Sequence, residues 1–124
     1  MAAAMPAAAQ PLTGTDWRIT ALGGAAVPPE AREPVIRLDP GPDAASFTAS
    51  AGCNRFGGSA RIEGEALTFG PARATRMGCP PPLDAAESAL SDALTGTVRW
   101  ELEGGTLRLL DAGGSVLLEA VAAN

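Results

Sequence analysis

Hydrophobic and polar residues alternate most regularly near the end of the chain, where Val98, Trp100 and Leu102 interleave with Arg99, Glu101 and Glu103. A period of two puts the first set on one face of a strand and the second on the other. Gly104-Gly105 follows, a pair suited to a type I′ hairpin because both central positions take positive φ. Residues 106–110 return, 111–114 turn again, and 115–121 complete a meander. Earlier stretches repeat the pattern over 17–22, 34–39, 47–51, 59–63, 66–70 and 73–79, separated by Gly and Pro. In the first of these Trp17, Ile19 and Ala21 share a face. About eight short strands at even spacing predict a small antiparallel barrel-like sheet.

One segment departs from this rhythm. After Pro80-Pro81-Pro82, the apolar residues Leu83, Ala86, Leu90, Ala93 and Leu94 fall on one helical stripe, so a single helix is expected over about residues 83–95. Asp84 and Glu87 have the spacing of a capping box. Glu87 also lies on the buried stripe, which offers a second reading as a half-buried carboxylate, with Arg55 or Arg76 as its partner. The expected class is mainly β (α+β), a barrel crossed or plugged by one helix.

Composition narrows the chemistry. The 124 residues suffice for one domain. Ala supplies 26 of them, whereas Phe and Trp together give only 5, so each large apolar side chain matters to packing. There is no His and no Lys. This excludes Ser-His-Asp and Cys-His catalysis, imidazole-based zinc sites, Schiff-base lysines and the P-loop lysine. The formal net charge is −5 and all nine cations are Arg, scattered between acids along the sequence. Neither nucleic acid nor an anionic membrane is an expected partner, and no stretch has the length of a spanning helix. Residues 1–12 read as an Ala/Pro leader, expected to be disordered, ahead of a domain over 13–122. Ala7-Ala8-Ala9 before Gln10 looks like the tail of a small-residue cleavage site, which would suit an exported domain; an ordinary disordered leader is the other reading.

Cys53 and Cys79 are the two cysteines. If 73–79 is a strand, Thr75, Met77 and Cys79 share its inner face, and Cys79 can meet Cys53 from the preceding turn. An even count in an exported domain favours a disulfide. Closing a loop of about 27 residues contributes roughly 3–4 kcal/mol in the chain-entropy picture. A reactive redox pair and two buried reduced thiols remain open alternatives. Gly52, Gly57 and Gly58 permit sharp turns, and Asn54 can bond its own loop. Nothing places two acids on one inner face as a glycosidase needs, and no metal constellation is visible.

Taken in order, Leu12-x-Gly14-Thr15-x-Trp17, Gly52-Cys53-Asn54-Arg55-Phe56-x-Gly58, Leu67-x-Phe69-Gly70-Pro71, Thr75-Arg76-Met77-x-Cys79-Pro80 and Glu87 in the helix resemble the META domain, or HslJ-like heat-shock, family. The resemblance spans roughly residues 12–121. Gly78 stands where small Ala is usual, and Ser59-Ala60 stands where an aromatic often follows. The resemblance implies a barrel-like fold with one helix in an exported or lipoprotein setting, periplasmic or outer-membrane-associated, linked to envelope stress and antibiotic tolerance. It implies no catalytic activity, and no cofactor or metal is expected. Cys53 and Cys79 carry over as a bridge, Trp17 as core, and Gly52, Asn54, Gly58, Thr75, Met77 and Glu87 as structural positions. Arg55 and Arg76 carry over as the exposed motif positions of a contact surface. The expectation is a monomeric, noncatalytic envelope domain acting by contact with an unidentified protein. A lipocalin-like small-ligand binder and a thiol redox protein are the alternatives.

Overall fold

The computed structural model describes residues 12–123. Within them run β1 (Asp16–Leu22), β2 (Ala25–Ala26), β3 (Val35–Asp39), β4 (Ala45–Ser50), β5 (Arg55–Glu63), β6 (Ala66–Phe69), β7 (Arg73–Ala74), α1 (Leu83–Gly96), β8 (Arg99–Glu103), β9 (Thr106–Leu110) and β10 (Val116–Ala122). Eight strands close a ring in the order β1-β3-β4-β5-β6-β8-β9-β10, with β10 returning to β1 and every strand pairing antiparallel. The short strands β2 and β7 pair outside the ring, with β1 and β5. Closure satisfies the backbone groups that an open sheet would expose along its edges. The expected mainly-β barrel with one helix is the observed architecture.

Alternation explains why the ring closes around a dry interior. Trp17 and Ile19 of β1, Ile36 and Leu38 of β3, Phe47 and Ala49 of β4, and Leu107 and Leu109 of β9 are all buried. Each large side chain among them contributes roughly 1.5–3 kcal/mol by leaving water. Strict alternation fails once in β1. Ile19 faces Ala120 but Ala21 faces Glu119, so Thr20 is an extra residue, and its hydroxyl donates to the Glu119 carbonyl at 3.2 Å. This bulge turns Leu22, rather than the expected Ala21, into the core.

Helix α1 crosses one mouth of the barrel. It touches β1 and β10 on one side and β6 on the other, and β1 and β6 lie opposite each other in the ring. Ala86, Leu90, Ala93 and Leu94 point into the core. The capping box does not form. Pro82 stands at the N-cap without a side-chain cap bond, Asp84 accepts the adjacent Ala85 amide at 2.8 Å, and Glu87 is drawn away by another segment. Among the described residues no helix is long and apolar enough to cross a membrane.

The chain joins the barrel at a corner. The Trp17 indole N–H donates to the Leu12 carbonyl at 3.0 Å, and the Gly14 amide donates to the Leu38 carbonyl at 2.8 Å. Leu12, the last residue of the expected leader, is buried in the core; residues 1–11 lie outside the described residues.

Candidate functional site

Six motif residues, Cys53, Asn54, Thr75, Met77, Cys79 and Glu87, meet at the helix-capped mouth, around Asn54. Trp17, by contrast, belongs to the barrel core, and Gly58 packs by Phe47 and Pro71. Asn54 is 3% exposed and ends the turn between β4 and β5. Its side-chain nitrogen donates to Glu87 Oε2 at 2.7 Å and to the Met77 carbonyl at 3.0 Å. Its side-chain oxygen accepts the Thr75 hydroxyl at 2.9 Å and the Met77 amide at 2.7 Å. A carboxamide has two donor hydrogens and two acceptor lone pairs, so all four are used. The backbone amide of Asn54 also donates to Glu87 Oε1 at 2.8 Å. Both oxygens of the carboxylate are thereby held by one residue, in charge-assisted bonds.

A disulfide joins Cys53 to Cys79 beside this knot, with Cα atoms 6.0 Å apart. Among the open cysteine alternatives, the bridge is the observed state. Cys79 Sγ lies 3.4 Å from Glu87 Oε1 and 3.4 Å from Asn54 Nδ2. Thr75 completes the junction, its hydroxyl accepting the Arg55 amide at 3.0 Å and its own amide donating to the Arg55 carbonyl at 3.1 Å. Cys53, Cys79 and Glu87 bring three donor atoms within 4.8 Å of one another. Both sulfurs are consumed in a covalent bond, so this set does not offer the thiolates a soft metal requires.

Four local expectations are corrected here. Only Arg73–Ala74 of the stretch 73–79 is a strand, because the Met77 amide and carbonyl are both taken by the Asn54 side chain and none is left for a ladder. The Met77 side chain consequently does not share an inner face with Thr75 and Cys79 and is 60% exposed. β5 begins at Arg55, so Gly57 and Gly58 lie in a strand and not in a turn. Glu87 serves Asn54, not the helix N-terminus or an arginine. Gly52 and Gly58 are required on steric grounds. A Cβ on Gly52, at φ +100°, would sit 2.8 Å from the Ala31 Cα, and one on Gly58 would sit 2.7 Å from the Pro71 carbonyl oxygen.

A surface groove of about 650 Å³ runs beside the knot, bounded by Arg76 and Met77 on one bank and Glu87, Ser88 and Ser91 of α1 on the other. The barrel interior is occupied by the protein itself, with Trp17, Phe47, Leu67, Leu90 and Leu107 among its fully buried side chains. A lipocalin-like cup would need that volume empty.

Charge is arranged unevenly over the outer wall. Asp16 and then Asp39, hydrogen-bonded to Arg37, raise its guanidinium above the ordinary range, and Glu119 first among three acids does the same for Arg108. Among the described residues, ion pairs involve these two arginines alone. Arg55 and Arg76 are exposed, as expected of motif positions. Arg73, which no motif singles out, is brought close to Arg55 by the β5–β7 pairing. Its signal in the sequence was only its place in an alternating stretch.

A family model described as the META domain matches residues 10–124. Among solved structures, the chain is similar to an NMR structure of a protein from Burkholderia xenovorans. That match has 24% identity and a TM-score of 0.72, and covers 100% of this chain and 96% of the other. A second NMR structure has 24% identity and a TM-score of 0.68, covering 89% of this chain and 91% of that one. At such identity the likeness carries the fold alone. No curated protein gives a significant match.

Proposed function

The chain belongs to the META domain family, and from that premise we propose that it is a noncatalytic domain of the bacterial envelope, serving stress response or antibiotic tolerance through protein contact. The observation that carries this reading is the state of the motif side chains. All four hydrogen-bonding capacities of Asn54 are used, both Glu87 oxygens are held, and both sulfurs are bridged. Groups spent on holding loops together are not free to attack or protonate a substrate. The bridge also supports an oxidising compartment, periplasmic or outer-membrane-associated, since disulfides persist there and are rare in the cytosol. The exposed Met77 and Arg76 on the groove supply surface for a partner.

A thiol redox role is disfavoured by the same geometry. A reactive cysteine needs a nearby cation to stabilise its thiolate. Here the charged group within 3.4 Å of Cys79 is the Glu87 carboxylate, an anion and not a cation. Crosslinking in intact envelopes, with alkylation of free thiols before and after reduction, tests the proposal. Capture of a specific protein by the oxidised chain is expected. A chain recovered reduced from the cytosol, or an envelope chain that crosslinks to nothing specific, would overturn it.

A further inference from the structure

The fold gathers cations that the sequence scatters. On β5, Phe56 and Ala60 face the core, so Arg55, Gly57 and Ser59 alternate with them on the outer face. Gly57 stands opposite Thr48 of β4 on one side and opposite Arg73 of β7 on the other. Arg55 stands opposite Ser50. Arg55 and Arg73 are therefore diagonal neighbours on one outer face, with backbones roughly 7–8 Å apart. Both are exposed, and neither makes an ion pair among the described residues. Five acids of the wall are occupied elsewhere, Asp16 and Asp39 on Arg37, and Glu101, Glu103 and Glu119 on Arg108, while Glu63, in phase with Arg55 on β5, stands at the far end of that strand.

Gly57 sharpens the pattern. A Cβ added there meets the Phe47 carbonyl oxygen at 3.5 Å and the Thr48 methyl at 4.0 Å, both ordinary contacts, and its φ is not positive. Neither packing nor backbone geometry demands a glycine, in contrast to Gly52 and Gly58. What the missing side chain does provide is a strip of bare backbone flanked in register by Thr48 and Arg73, with Arg55 two residues along the strand.

We propose that this face of β4, β5 and β7, centred on Gly57, seats a carboxylate-rich segment of a partner protein, gripped by Arg55 and Arg73. The inference rests on the protein-contact reading and names the partner's chemistry. Guanidinium forks match carboxylates in paired bonds. With a net charge of −5, the molecule as a whole is repelled by a continuous anionic surface such as a membrane or nucleic acid, whereas a short acidic segment meets only the patch.

The test is titration of the purified, oxidised protein with a fluorescent oligo-glutamate peptide. Binding that weakens as salt rises is expected, falling about tenfold in Arg55→Gln and in Arg73→Gln. Gly57→Val should weaken it comparably by filling the seat, with no fall in the urea midpoint, which separates obstruction from unfolding. No binding, equal binding by all three variants, or binding to phosphatidylglycerol vesicles and not to the peptide would each overturn the assignment. In intact envelopes, equal capture of a partner by wild type and by the double arginine variant would remove this seat and leave the contact reading standing. Failure of wild type to capture any partner would strike the contact reading itself.

Discussion

The β1–β10 side of the barrel and the knot around Asn54 hold their backbones by opposite means. Trp17, Ile19, Leu118 and Ala120 are all buried, and the Trp17 indole is the one side-chain hydrogen-bonding group among them. The knot binds a segment, residues 71–78, that is exposed at every position. A segment with so little apolar area to bury lacks the main force that offsets chain entropy. Restraint must come from covalent and polar bonds, and here it comes from the short β5–β7 pairing, the Thr75–Arg55 bonds, one disulfide and one saturated carboxamide. Packing suffices where large side chains are available, and in a chain this rich in Ala they are concentrated elsewhere.

The largest effect should come from the packed side. Trp17→Ala removes the largest fully buried side chain and unties the Leu12 corner. A loss of about 3–5 kcal/mol in urea unfolding is expected. A loss near 1 kcal/mol would mean that the thin core is not what holds the barrel. Breaking the bridge comes next. Replacing Cys53 and Cys79 together by Ser should cost roughly 3 kcal/mol in the chain-entropy picture, and the comparison predicts where as well as how much. Hydrogen exchange at the Met77 amide, which depends on the knot, should accelerate strongly, while amides of β9 and β10 slow or speed only with global stability. Uniform acceleration across the molecule would erase the distinction between the two regions.

The contrast extends to what could be read in advance. The paired strands of the barrel and the helix were legible because alternation and helical periodicity are properties of neighbouring residues, and burial in a closed barrel obeys them. The β1 bulge escaped because Thr20 is an ordinary strand residue, and its extra place shows only in the register with Ala120 and Glu119. The knot was half legible. Its members could be named from family motifs, but Thr75-Arg76-Met77-Gly78-Cys79 alternates like a strand and is none. Its backbone partners are side-chain atoms of Asn54, more than twenty positions away. The spacing of Glu87 from Asp84 suits a local cap while its bonds are long-range, and of its two readings the half-buried carboxylate is the one observed, with Asn54 as the partner.

Glu87→Gln tests that long-range pairing with a smaller effect. A carboxamide offers one acceptor oxygen where the carboxylate offers two, so either the Asn54 amide or its side-chain N–H loses its partner. A cost of about 1 kcal/mol is expected, modest because the residue is only half-buried. A variant as stable as wild type would mean that the disulfide alone closes the knot.

The smallest effect has the opposite sign and falls between the two regions, on the outer face of β5. Gly57→Ala should raise stability by about 0.5 kcal/mol, because a glycine in mid-strand loses more freedom on folding than alanine does, and the added methyl makes only ordinary contacts. Its neighbour is the counter-case: an alanine at position 58 would press on the backbone oxygen of Pro71, so Gly58→Ala should destabilise. A urea midpoint that rises for Gly57→Ala and falls for Gly58→Ala would separate a glycine that the fold requires from one that it merely tolerates. If Gly57→Ala instead lowered the midpoint, Gly57 would be a structural glycine, and its bare backbone would need no ligand to explain it.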